Sequence, residues 1–134
     1  YQDVVREVLA DLRAAVERAV GMGVDEAAVI VDPGIGFGKT ADHNVIVLRR
    51  LAALHELGRP VLLGTSRKST IGRILDLPPE ERLEGTLATT ALGIGAGVDI
   101  VRVHDVGPNV RAARVADAIV RGRWRADPAQ GGPR

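Results

Sequence analysis

An α/β fold with parallel strands is what this 134-residue chain predicts, and three observations predict it. Short apolar runs begin at Ala27, Val61 and Ile100 and alternate with stretches of helical periodicity, in the order α-β-α-β-α-β-α. Parallel strands need long crossovers, which helices supply. The runs are apolar throughout, as suits strands buried on both faces. Each run also closes on a chemistry-bearing string: Asp32-Pro33-Gly34-Ile35-Gly36-Phe37-Gly38-Lys39-Thr40, then Gly64-Thr65-Ser66-Arg67-Lys68-Ser69, then Arg102-Val103-His104-Asp105. Three successive strands would carry their polar groups at one end.

The elements follow in order. Residues 3–20 predict a helix, with Val5, Val8, Leu9, Leu12, Val16 and Val20 at helical spacing and Gly21 and Gly23 to end it. Ala27–Val31 is the first strand, stopped by Asp32-Pro33-Gly34. A second helix spans Asn44–Leu57, with Val45, Leu48, Leu51, Ala52 and Leu54 on one side and Gly58 at its end. Val61–Leu63 is the second strand, and a short helix follows at Ser69–Leu75. Pro78-Pro79 is a break. Glu84–Ala96 is a helix of small residues suited to close packing, Ile100–Val103 the third strand, and Val110–Val120 the last helix. Residues 1–124 form one domain, and residues 125–134, with Gly-Gly-Pro, predict a disordered tail. Both a doubly wound sheet and the last part of a (β/α)₈ barrel fit three strands. A complete barrel needs about 250 residues.

Composition narrows the functional classes. Eighteen Lys and Arg against 17 Asp and Glu leave a net charge of +1, which carries no global nucleic-acid or membrane footprint. There is no cysteine, so neither a disulfide framework nor a thiolate metal site is expected, and a reducing cytoplasm is compatible. No apolar run reaches the roughly 18 residues that span a bilayer. The chain opens at Tyr1 within an expected helix, so a fragment or a processed chain is expected. Phe37 is the sole phenylalanine and stands between two glycines.

Pro33-to-Thr40 nearly matches a phosphate-cradling loop, but Pro33 stands where its first glycine belongs, and a nucleotide loop is discounted. Asp32 is the sharper feature. A carboxylate at the last position of a strand can accept paired hydrogen bonds from an amidine-like group. Ser66-Arg67-Lys68 puts a hydroxyl and two cations before a helix start, which suits a carboxylate or a phosphate; the plainer reading is a solvated basic turn with Ser66 as a cap. Arg102 and His104 alternate on one strand, so they share a side and could hold the oxygens of a phosphate or diphosphate. His104 could equally be a hydrogen-bonded core histidine. Asp105 either orients it or caps the turn. His43 and His55 read as surface residues.

Together, Asp-Pro-Gly-Ile-Gly-Phe-Gly-Lys, Ser-Arg-Lys-Ser, Gly-Thr-Leu-Ala-Thr-Thr from Gly85 and Arg-Val-His-Asp, in this order and spacing, resemble the dihydropteroate synthases. The likeness runs from Tyr1 to about Trp124. It implies the last three βα units, with the preceding helix, of a (β/α)₈ barrel. It implies a transferase of folate biosynthesis that condenses 7,8-dihydropterin pyrophosphate with p-aminobenzoate, releasing pyrophosphate, and that sulfonamides target. By the resemblance Asp32, Lys68 and Arg102 would bind the pterin, and Phe37, Ser66 and Arg67 the p-aminobenzoate. Arg102 and His104 would bind the diphosphate, and Lys68, Arg102 and His104 would be catalytic. Mg²⁺ is implied as cofactor. Its family ligand, the rest of the pterin pocket and two mobile loops lie in a first half that is not expected here, so no metal ligand is expected among these residues and the piece alone is expected to be inactive. A cytoplasmic homodimer of the complete enzyme is implied, with small-molecule substrates and neither nucleic acid nor membrane as partner. The alternatives are a non-catalytic pterin-binding fragment and a pterin-dependent methyltransferase barrel.

Overall fold

Asp3 starts helix α1 (Val4–Gly21) by accepting the Arg6 N–H on its side chain at 3.2 Å, which satisfies one of the donors that a helix start leaves free. Val4, Val5, Val8 and Leu9 then fall on the buried side. Four more α-helices follow in a computed structural model that describes residues 1–125: α2 (Ala41–Arg49), α3 (Ser69–Leu75), α4 (Leu83–Gly95) and α5 (Val106–Arg121). Strands β1 (Leu62–Leu63) and β2 (Ile100–Val101) pair in parallel, Leu62 opposite Ile100 and Leu63 opposite Val101. Val31 joins the other edge of β1 through a parallel bridge to Val61, with Val31 N–H on Pro60 O at 2.9 Å and Leu62 N–H on Val31 O at 2.8 Å. The ladder therefore reads Val31, β1, β2, in chain order. The helices also pack in chain order, each against the next. The fold is α/β, as the sequence predicts.

Several boundaries differ, each for a local reason. The Ala27–Val31 strand shrinks to Val31, because Asp25 accepts the Ala27 N–H at 2.9 Å and winds Glu26–Ala28 into a 3₁₀ turn. The Asn44–Leu57 helix is two pieces. It starts earlier, at Ala41, because Thr40 and His43 cap each other's backbone N–H groups. It gives way to 3₁₀ helix over Leu51–Leu57, whose three-residue repeat lines up Leu51, Leu54 and Leu57 toward the core. The last helix begins at Val106, four residues before the expected Val110, since Pro108 in a first turn removes only a donor that has no helical partner. The third strand is short, though Arg102 N–H on Leu63 O at 3.0 Å carries its ladder one residue on. The tail expected from residue 125 lies outside the described residues, apart from Arg125 itself.

The core joins α1 (Val4, Val5, Val8, Leu9) to Val31, Ile35, Val47, Leu51, Leu54, Val61, Leu63 and Val98. Each such leucine or valine taken out of water contributes about 1.5–3 kcal/mol. Helix α4 comes close to β1, because Gly93 lies where a Cβ would stand 2.8 Å from a methyl of Leu63. Its small residues thus pack closely, as expected.

Candidate functional site

Three loops leave the same edge of the parallel ladder: residues 32–40 after Val31, 64–68 after β1, and 102–105 after β2. Side-chain chemistry in parallel α/β folds gathers at that edge because every strand points its C-terminal end there.

The first loop turns on glycines, with Gly34, Gly36 and Gly38 at φ +70°, +88° and +61°. Asp32 is exposed and accepts the Gly34 N–H at 2.8 Å, an Asx turn that fixes its carboxylate at the ladder's edge. Two ammonium groups hold the loop's carbonyls. Lys39 Nζ donates to Gly34 O at 2.9 Å and Phe37 O at 3.1 Å, and Lys68 Nζ donates to Ile35 O at 2.5 Å. The buried Asn44 accepts the Gly36 N–H at 3.0 Å and donates to Thr70 Oγ1 at 3.0 Å. Partial burial lowers the pKa of both lysines, against the opposing pull of Asp32; Arg102 and Lys39 add to the lowering at Lys68. Phe37 is exposed, its ring centroid 4.9 Å from Lys68 Nζ. The structure thus sets Phe37 beside Lys68.

The second and third loops are tied to each other. Ser66 Oγ lies 2.7 Å from His104 Nδ1 and accepts the His104 backbone N–H at 3.0 Å. Ser66 therefore joins the third loop and does not cap α3, whose cap position is Lys68. Arg67 forms a bidentate pair with Asp105, Nη2 to Oδ1 at 2.8 Å and Nε to Oδ2 at 3.2 Å. That hydrogen bond, the largest influence on each, holds Asp105 below its ordinary pKa and Arg67 above its own. Asp105 thus engages Arg67 and makes no side-chain cap on α5. Arg102 is exposed at the end of β2, where its charge reaches Lys68. His43 and His55 serve structure: the first caps α2, and the second lies 2.8 Å from Ala96 O.

Asp32, Lys68 and Arg102 are thus electrostatic neighbours, while Ser66, Arg67, His104 and Asp105 form a hydrogen-bonded group beside them. The geometry adds residues that the sequence reading did not single out: Lys39 and Asn44, which organise the first loop, and Thr86 and Arg82, which bind the Arg67 backbone. Asn44 carried no sequence signal, being a single polar residue in a helix, whereas Thr86 stands in the Gly-Thr-Leu-Ala-Thr-Thr string without a role having been read for it. The arrangement offers a carboxylate for a paired N–H donor and cations for anionic oxygens. Among the described residues no group of three or more His, Asp or Glu side chains could hold a metal ion, and no helix is long and apolar enough to cross a membrane.

Residues 1–104 match a family described as pterin binding enzyme. The chain is 55% identical over 120 residues to the dihydropteroate synthase of Bacillus subtilis, an alignment covering 90% of this chain and 42% of that protein. It is 42% identical to a Mycobacterium bovis protein named inactive dihydropteroate synthase 2, over 87% of this chain and 36% of the other. Among solved structures it resembles the dihydropteroate synthase of Clostridium difficile determined with pteroic acid, at TM-score 0.87 and 53% identity, covering 89% of this chain and 45% of that one. It also resembles the Thermus thermophilus enzyme in complex with 4-aminobenzoate, at TM-score 0.83 and 44% identity, with 89% and 48% covered. The chain spans under half the length of each of these proteins.

Proposed function

The chain belongs to the pterin binding enzymes, and from that premise we propose that it is the part of a dihydropteroate synthase that carries three of the loops around the substrates. The observation that carries this reading is the meeting of Asp32, Lys68 and Arg102 beside the Ser66–His104 and Arg67–Asp105 pairs at one edge of the ladder. In this reading the chain supplies the last three βα units and the preceding helix of a (β/α)₈ barrel, and the rest of the full-length protein closes it. A single row of helices packed in chain order supports a barrel over a doubly wound sheet, which covers both faces.

Asp32 accepts the pterin's N–H groups, with its charge compensated by Lys68. Arg102 stacks on the ring. Ser66 and Arg67 receive the p-aminobenzoate carboxylate, and Phe37 packs against the aromatic ring. The bond from the pterin methylene carbon to the diphosphate oxygen breaks, and both electrons leave with pyrophosphate. Arg102 and His104 stabilise the charge that develops there. The arylamine nitrogen then bonds to that carbon and loses a proton, giving dihydropteroate. Mg²⁺ would neutralise diphosphate charge when bound. The described residues present no cluster to hold it, and no step here runs through it. A cytoplasmic homodimer is the setting we propose for the whole protein, with small molecules as its substrates.

A p-aminobenzoate-dependent release of pyrophosphate by the full-length protein, competed by a sulfonamide, is the expected result. Pterin binding without turnover would support the second reading, a non-catalytic pterin-binding protein, which the relative named inactive keeps open. Neither binding nor turnover would overturn both.

A further inference from the structure

Arg67 has the most constrained backbone of the site residues. Its φ of +57° lies in the left-handed region that non-glycine residues disfavour, and such a conformation persists where its surroundings hold it. Both polar groups of its backbone are held. The N–H donates to Thr86 Oγ1 at 3.1 Å, and the carbonyl accepts from Arg82 Nη1 at 2.8 Å. The Thr86 hydroxyl, fully buried, donates to the Arg82 carbonyl at 3.1 Å. With its proton spent there, a lone pair is left to meet the Arg67 N–H. Arg82 therefore acts on Arg67 twice, directly and through Thr86.

Arg82 is itself anchored. Its Nε donates to Leu77 O at 2.8 Å, so the guanidinium spans from the end of α3 to the β1–α3 loop. It crosses Gly72, where a Cβ would collide with Nη2. Among the described residues it takes part in none of the ion pairs, and its hydrogen bonds go to carbonyl oxygens.

We infer that Arg82 is a positioning residue: by holding the Arg67 backbone it aims the guanidinium that Asp105 also grips, and so sets the affinity of this loop for the carboxylate of the arylamine substrate. The inference rests on the proposed reading of Arg67 as part of the p-aminobenzoate site. Gly72 belongs to the same device, since any side chain there displaces the guanidinium.

The test is steady-state kinetics on the full-length protein, with pterin affinity measured by calorimetry. Arg82→Lys keeps the charge but replaces the planar fork, whose Nε and Nη1 meet Leu77 O and Arg67 O, with a single ammonium nitrogen. Gly72→Ala leaves Arg82 in place but pushes it aside. Each is expected to raise KM for p-aminobenzoate about tenfold, with kcat and pterin affinity changed less than about twofold. Thr86→Val should do the same, and Thr86→Ser, which restores the hydroxyl, should match the parent. An unchanged KM in Arg82→Lys and Gly72→Ala, while Arg67→Ala raises it, would overturn the inference and leave the site reading standing. An unchanged KM in Arg67→Ala would overturn the site reading. Loss of cooperative melting in both Arg82→Lys and Gly72→Ala would also overturn the inference, because Arg82 would then serve the whole fold and not this loop.

Discussion

Ser66 and His104 meet twice, through the imidazole Nδ1 at 2.7 Å and through the backbone N–H at 3.0 Å, both on the one serine hydroxyl. The β1–α3 and β2–α5 loops are joined at that atom. With Nδ1 engaged, Nε2 is the ring nitrogen left for a ligand. Ser66→Ala is therefore expected to lower stability by about 1 kcal/mol and pyrophosphate affinity about fivefold. Urea melts and calorimetric titration of the full-length protein check the two effects.

Asp32 should carry pterin affinity through its charge. A charged hydrogen-bonding partner is worth about 1.5–3 kcal/mol, so Asp32→Ala should weaken pterin binding roughly 10- to 150-fold. Asp32→Asn can still accept the Gly34 N–H, so its loop stays formed. It should weaken pterin binding nearly as much. Pterin affinity unchanged in both variants, by calorimetry, would sink the assignment.

Arg102 should matter more to the diphosphate than to the carboxylate. It lies at the end of β2 near Lys68, whereas Arg67 is held on Asp105. Arg102→Ala should weaken pyrophosphate binding about tenfold and sulfonamide binding in the presence of pyrophosphate less than about threefold. Equal losses in the two titrations would remove the separation of the two subsites.

The Arg67–Asp105 pair should appear in the acid limb of stability. Asp105 is held below its ordinary value, chiefly by the hydrogen bond from Arg67. A carboxylate with a depressed folded pKa contributes stability that is present above about pH 4 and lost as pH falls through the folded value. Asp105→Asn should flatten that part of the curve. A carboxyl titration by NMR should place Asp105 below an ordinary aspartate.

Lys68 should give a rise of the same sign in the alkaline range, from a different cause. Burial, reinforced by Arg102 and Lys39, lowers its pKa. The folded state then releases this proton at lower pH than the unfolded chain does. Stability attributable to this group rises with pH through the folded value and levels off near about 10.4, the unfolded value. Lys68→Met should remove its share of that rise. Denaturant melts between pH 8 and 10.5, parent against variant, measure it.

Six residues of the candidate site stand out in the sequence because each breaks a local pattern. Asp32, Ser66, Arg67, Lys68, Arg102 and His104 are polar groups at the ends of apolar runs, though β2 stops at Val101, so strand alternation does not govern Arg102 and His104. The helices at 4–21, 69–75 and 83–95 were legible within a residue or two, since periodicity and glycine spacing are properties of neighbours in sequence.

What the sequence by itself determined is the βα order, the parallel sense of the strands and where the first two of them end, while the third stops at Val101, short of the expected Val103. Tertiary structure decided the partners. Asp105 pairs with Arg67 across 38 positions, Ser66 with His104 across 38, and Arg82 with Arg67 across 15. It also decided where the Asn44–Leu57 helix breaks, because Leu51 and Leu54 are drawn into a core that includes α1 and Val98. The physical reason is the range of the forces. Periodicity and capping act over three or four residues, whereas a hydrogen bond between loops depends on how strands register and helices pack, and that information is spread over the whole chain.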